Sequence, residues 1–93
     1  MARIIVKFIS IARQRAGTGR IEVIASAPKL RDVLGDIVEK YDLRDIILTE
    51  TGEIRSWVRV LVNGRSQEFV GGLDIELHDG DTLALVYPYA DNF

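Results

Sequence analysis

Apolar residues alternate with other residues in both halves of the chain, and this period of two is typical of β-strands. The first run, Arg3 to Ala12, is rich in Ile, Val and Phe and has the length of a strand. A loop containing Gly17 and Gly19 separates it from a second alternating run, Arg20 to Ser26. Two neighbouring strands joined by a glycine-bearing loop predict a β-hairpin.

After Ser26 the period changes to three and four, which predicts one amphipathic helix over about Pro28 to Tyr41. Ser26 is a candidate N-cap, and Pro28 suits the first helical turn. Gly35 interrupts the helix at a cost of roughly 1 kcal/mol relative to Ala. It either allows a close approach to the sheet or is a tolerated weak point. The apolar positions that share one face are Leu30, Val33, Leu34, Ile37, Val38 and Tyr41.

Further strands are predicted in the second half of the chain. The run from Trp57 to Val62 alternates, and Asn63-Gly64 after it is the residue pair that two-residue hairpin turns prefer. We interpret Gly71-Gly72 as part of a turn, and Thr82 to Tyr87 as the last strand. The connector from Leu43 to Arg55 has no clear pattern.

The order strand-strand-helix-strand-strand-strand predicts one α+β domain over residues 1–93. We expect a mixed sheet of four to five strands, with the helix packed across one face. Leu34 and Ile37 of the helix should then be buried against Val60 and Leu85 of the sheet.

One helix can cover only one face of such a sheet, and the other face is also apolar. An uncovered apolar face usually marks a partner site, so we predict protein binding there. Two alternatives are a second copy of the chain, or the segment Ile46 to Thr49 folding over the face. The uncovered positions are Ile5, Ile9, Trp57, Leu61, Ala84 and Val86, diluted by Lys7, Arg59 and Thr82.

Composition narrows the classes of function. The 93 residues include no Cys, which excludes disulfides, Cys-ligated metals and thiol nucleophiles. A formal net charge of −2 gives no support for nucleic acid or an anionic membrane as a partner. No apolar run is long enough to span a bilayer, and the N-terminal run lacks a signal-peptide cleavage site. We therefore expect a cytoplasmic protein.

No catalytic constellation emerges from the sequence. His78, the only His, lies among acidic residues that are typical of a turn, so a metal site there has little support. Gly17-Thr18-Gly19 lacks the Lys and the following helix of a phosphate-binding loop. Ser66 has no neighbouring base to activate it. We expect a protein that is not catalytic on its own and that needs no cofactor.

The segment from Val58 to Pro88 combines three motifs in a specific order: V-N-G-R, G-L-D and D-G-D before an apolar strand that ends in Pro. In this order the motifs resemble the small subunit of molybdopterin synthase and its relatives, the ubiquitin-like sulfur carriers of the MoaD and ThiS types. The N-terminal strand, Arg13, Gly17 and the helix opening APKLRDVLGDI are similar too. The resemblance covers nearly the whole chain.

This resemblance implies a β-grasp fold and a role in pterin-cofactor biosynthesis, with molybdenum or tungsten. The role would be performed by protein–protein binding through the sheet face and the C-terminal tail. The partners it implies are a synthase large subunit, an E1-like activating enzyme or a pterin-dependent oxidoreductase. We expect the partner-binding residues to be Ile5, Ile9, Trp57, Arg59, Leu61, Val86, Tyr87 and Tyr89.

The tail departs from the family pattern. Carriers end in Gly-Gly, and their terminal carboxylate is adenylated and converted to a thiocarboxylate. Aligning Pro88 with the family's last Pro puts Asp91 and Asn92 at the two glycine positions and leaves Phe93 extra. The internal Gly71-Gly72 is no substitute, because cleavage there would remove the last strand. We expect Pro88 to end that strand and residues 89–93 to project beyond the sheet.

Two functional hypotheses remain open. The chain is at most the carrier subunit of a synthase-type complex, which would work through an unusual C-terminus. The alternative is a ubiquitin-like assembly or regulatory module that has lost sulfur transfer.

Overall fold

The computed structural model describes residues 1–89, which contain one five-stranded sheet. Its strands are β1 (Ala2–Ser10), β2 (Arg20–Ala25), β3 (Arg59–Val62), β4 (Arg65–Ser66) and β5 (Thr82–Tyr87). They lie in the order β2-β1-β5-β3-β4. The β1–β5 pair is parallel and the other pairs are antiparallel, so the predicted mixed sheet is confirmed.

Three helices and one 3-10 turn complete the described chain. They are α1 (Ile11–Ala16), α2 (Leu30–Lys40), α3 (Arg44–Ile47) and the turn Gln67–Phe69. Only α2 exceeds two turns, and it is the predicted amphipathic helix. Within residues 1–89, none of these helices has the length and apolar character needed to cross a membrane.

The first hairpin is confirmed, but its connection differs from the predicted glycine loop. β1 ends at Ser10, whose φ of 65° turns the chain into α1. The side chain of Ala12 is fully buried, so the apolar run continues through α1 and belongs to the core. The helix ends at Ala16 with Gly17 at its C-cap, and β2 then pairs antiparallel with β1, with Val23 opposite Ile4.

The predicted helix α2 is confirmed, with a start two residues later than about Pro28 but a different N-cap. The helix begins at Leu30 and ends at Lys40, with Lys29 at the N-cap position. Lys29 makes no side-chain capping hydrogen bond, so neither Ser26 nor Pro28 has the role predicted for it.

A distant segment supplies the acceptors that the start of α2 needs. The first N–H groups of a helix have no partner inside it. Here the N–H of Leu30 donates to the carbonyl of Ile75 (3.0 Å), and the N–H of Arg31 donates to that of Leu73 (2.8 Å). The Arg31 guanidinium donates to Asp74 at 2.9 Å, and this hydrogen bond lowers the pKa of the Asp74 carboxyl. The turn-rich stretch before β5 therefore caps the helix.

The core lies between α2 and the sheet face that α2 covers. Leu34, Ile37, Val60 and Leu85 are all buried in this single cluster, as predicted. Three residues of the unassigned connector, Leu43, Ile47 and Leu48, are buried in the same cluster. The alternative in which the segment Ile46 to Thr49 covers the opposite sheet face is therefore wrong.

Two predicted turns are confirmed by positive φ angles. Asn63 and Gly64 have φ of 51° and 85° and connect β3 to β4 as a two-residue turn. Gly71 and Gly72 have φ of 124° and 87° in the segment that leads to the α2 cap. At Gly71 an added Cβ would lie 2.5 Å from Cγ2 of Ile75.

Gly71 and Gly35 should respond in opposite ways to the same substitution. Gly35 lies inside α2 and an added Cβ would meet nothing within 4 Å, so it does not serve a close approach to the sheet. We expect Gly35→Ala to raise the free energy of unfolding by about 0.5–1 kcal/mol. Gly71→Ala should lower it by more than about 1 kcal/mol, because of its φ and the contact with Ile75. Urea denaturation of both variants checks this, and equal effects would contradict it.

Candidate protein-binding surface

The sheet face that lacks α2 is defined by strand register, and we call it the open face. Residues directly opposite one another on paired strands share a face. One row across the sheet runs from Ile9 to Val86 to Arg59. The next runs from Lys7 to Ala84 to Leu61, and Ile5 lies opposite Thr82 below it. The predicted partner-binding residues Ile5, Ile9, Arg59, Leu61 and Val86 are thus brought together.

Exposure distinguishes the two faces of the same strands. On β1, Ile4 and Val6 are fully buried, whereas Ile9 is 41% exposed. Ile5, Leu61 and Val86 are half-buried by their neighbours in the sheet. The open face therefore presents apolar side chains to solvent across three adjacent strands, which is typical of a surface that binds a partner.

Trp57 lies beside this face but not on the predicted strand. β3 begins at Arg59, and Trp57 lies in the turn before it, with 64% of its surface exposed. Its carbonyl accepts a hydrogen bond from the N–H of Tyr89 at 2.7 Å. Trp57 is therefore at the point where the chain leaves β5.

Tyr89 is held against the start of β3. The guanidinium carbon of Arg59 lies 4.8 Å from the centre of the Tyr89 ring, a favourable cation–π contact. The same guanidinium donates to the carbonyls of Val58 (3.1 Å) and Ser56 (3.4 Å). β5 ends at Tyr87, as Pro88 predicts, but Tyr89 does not project freely, contrary to our expectation.

The remaining predicted site residues have other positions. Tyr87 alternates with the buried Leu85 and packs against the core, on the side of α2. Asp91, Asn92 and Phe93, the predicted carrier-tail positions, lie outside the described residues.

The acidic stretch around His78 forms a turn held by one carboxylate. Oδ2 of Asp81 accepts the N–H of His78 (2.7 Å), and Oδ1 accepts the side-chain amide of Asn63 (3.0 Å). In residues 1–89 no group of three or more His, Asp or Glu side chains is arranged to hold a metal ion. Asp81 therefore has a structural role between two turns.

Comparison with known proteins gives a family match and a similar curated protein. The profile of the ThiS family matches residues 6–90. Over 59 residues the chain is 37% identical to small archaeal modifier protein 3 of Haloferax volcanii. That match covers 63% of this chain and 64% of the relative, so it spans less than two thirds of the relative's length.

Solved structures with the same fold align with nearly the whole chain. Urm1 from Trypanosoma brucei is 26% identical, with a TM-score of 0.79 and coverage of 98% of this chain and 95% of that one. A putative molybdopterin converting factor subunit 1 from Pyrococcus furiosus is 24% identical, with a TM-score of 0.74 and coverage of 97% and 100%. The second likeness concerns the fold alone. The predicted β-grasp, ubiquitin-like fold is confirmed.

The contact between Arg59 and Tyr89 should limit the opening of the chain after β5. We expect Arg59→Ala to increase the hydrogen-exchange rate of the Tyr89 amide, because the ring loses the cation that holds it near Trp57. Exchange in β1 and β5 should not change. Arg65→Ala, which removes a nearby exposed cation of β4, is the control. Unchanged exchange at Tyr89 in Arg59→Ala would show that the backbone hydrogen bond suffices.

Proposed function

We propose that this chain, which belongs to the ThiS family of ubiquitin-like sulfur carriers and modifiers, works by docking on partner proteins through the open face. The observation that supports this most is the apolar surface across β1, β5 and β3, which no long helix covers within residues 1–89. The segment after Tyr89 would enter the partner from the same docked position.

The geometry supports a shared site for the face and the tail. β5 contributes Val86 to the open face, and three residues later Tyr89 is bound at Trp57 and Arg59. A partner that covers Leu61 and Val86 would therefore lie next to Tyr89. An adenylating, E1-like activating enzyme is the partner that fits such a role, and the cytoplasm is the proposed place of action.

Two biological uses of this docking remain as proposals. A role in pterin-cofactor biosynthesis, beside a synthase large subunit or a pterin-dependent oxidoreductase, is the first candidate, and the order of the V-N-G-R, G-L-D and D-G-D motifs favours it. Protein modification is the second candidate, and the 37% identity to a small archaeal modifier protein favours it. Docking on an activating enzyme is common to both.

Loss of the apolar surface should abolish docking without unfolding the protein. Leu61 lies in the row that includes Lys7 and Ala84. Leu61→Asp would place a carboxylate within the apolar part of the proposed interface, where truncation of large apolar groups also costs most. We expect no detectable complex with the cognate activating enzyme in calorimetry, and an unchanged circular dichroism spectrum.

The matched control is Thr51→Asp, which introduces the same carboxylate at an exposed residue of the connector between α3 and β3. Thr51 is not on a strand of the open face, so this variant should bind like the unmodified protein. Binding of Leu61→Asp with normal affinity would reject the open face as the docking surface.

The chemistry of the tail needs a separate experiment. Carriers of the family end in two glycines, whereas the aligned positions in this chain are Asp91 and Asn92. We expect no sulfur transfer to the unmodified chain when it is incubated with the activating enzyme, ATP and a sulfur source. A variant with Asp91→Gly and Asn92→Gly that ends at position 92 should gain sulfur in place of one oxygen.

Intact-mass spectrometry distinguishes these outcomes. Sulfur on the unmodified chain would make it a competent carrier, and the regulatory-module alternative would be wrong. Sulfur on neither chain, with Leu61-dependent binding intact, would leave docking as the whole function.

A further inference from the structure

Strand register brings two cations together on the open face. Lys7 of β1 lies directly opposite Arg20 of β2, and both side chains are exposed. The N–H of Phe8 donates to the carbonyl of Gly19, so the next pair, Lys7 and Arg20, is of the type without hydrogen bonds between them. In such pairs the Cα atoms are only about 4.5 Å apart and the side chains are close.

No carboxylate in residues 1–89 compensates this pair. Neither Lys7 nor Arg20 forms an ion pair with a described residue, and the nearest acidic residue of β2, Glu22, lies 3.7 Å from the guanidinium of Arg3 instead. Like charges directly opposite one another on a sheet are destabilising. The isolated chain therefore retains an unfavourable pair on the surface where it also exposes apolar side chains.

The charge of the open face is opposite in sign to that of the chain. Within residues 1–89 the strand positions of this face carry four cations and one anion, a net charge of +3, whereas the whole chain carries −2. Two copies that met through this face would bring eight cations together with two carboxylates at these positions. Charge therefore disfavours a second copy on the open face. The charged members are Arg3, Lys7, Arg20, Glu22 and Arg59.

We propose that the open face is complementary to a partner protein surface that is apolar at its centre and carries carboxylates opposite Lys7 and Arg20. This inference rests on the proposed function and specifies the chemistry of its partner. Binding would neutralise the cation pair while Ile9, Leu61 and Val86 are covered. Complementary charges of this kind at the rim of an interface mainly raise the association rate and set specificity.

The test is a charge reversal that should have opposite effects on the free chain and on the complex. Lys7→Glu places a carboxylate opposite Arg20, so the free variant should unfold at a higher temperature than the unmodified chain. Its affinity for the cognate activating enzyme should fall about tenfold at low ionic strength, and the difference should shrink as salt is added. The higher melting temperature excludes misfolding as the cause of weaker binding.

The matched control is Lys29→Glu, the same substitution at an exposed position on the α2 side. It changes the net charge equally and should leave the affinity unchanged. Equal, salt-independent affinities for Lys7→Glu and Lys29→Glu would overturn the inference. So would sedimentation equilibrium showing that the unmodified chain dimerises and that Lys7→Glu alters the dimer.

Failure of this inference is distinguishable from failure of the proposed function. If Leu61→Asp abolishes binding while Lys7→Glu does not weaken it, docking on the open face stands and only the acidic partner surface is rejected. If both variants bind normally, both proposals are rejected.

Discussion

The central strand β5 imposes the constraint on which the rest of the structure depends. It pairs with β1 on one side and with β3 on the other, and so joins the two ends of the described chain in one sheet. Its side chains alternate between the faces: Leu83 and Leu85 are fully buried, while Ala84 and Val86 point the other way. A strand that is apolar on both faces can be buried completely only if both faces are covered, and α2 covers one of them. The other face is the open face.

Periodicity predicted those elements whose positions are decided by local pattern. Residues close together in the sequence determine the alternation in β1, β3 and β5, the apolar stripe of α2 and the Asn63-Gly64 turn. The N-cap of α2 was mispredicted because its N–H acceptors come from Leu73 and Ile75, more than forty residues away. The change from β1 to α1 was missed because Ala12 is buried in the core, and an apolar run looks the same in a strand and in a short helix.

The candidate surface was predictable to the extent that it depends on alternation alone. Ile5, Ile9, Leu61 and Val86 share a face because each lies at the correct parity on its strand. Trp57 has the same parity, but parity has no meaning in the turn where it lies. The contact between Tyr89 and Arg59, and the opposition of Lys7 and Arg20, depend on tertiary position and register, which the sequence pattern does not contain.

Two sides of this small domain use charge in different ways. Three cations of the helices form ion pairs: Arg31 with Asp74, Arg15 with Asp45 and Arg44 with Glu39. On the open face, Lys7 and Arg20 oppose each other without a described acidic partner. Exposed ion pairs contribute little to stability, so the difference is not explained by a need to stabilise the fold.

This difference in charge pairing is better explained by the absence of a partner from the open face of the free protein. Exposed apolar groups and opposed cations both raise the free energy of the isolated chain, and both are relieved by one apolar surface with carboxylates at its edge. Because the two unfavourable features lie on the same strands, a single binding event would relieve them together. Relief of these unfavourable features on docking would contribute to the free energy of binding. The arrangement of β1, β5 and β3 is in this way linked to recognition of a partner.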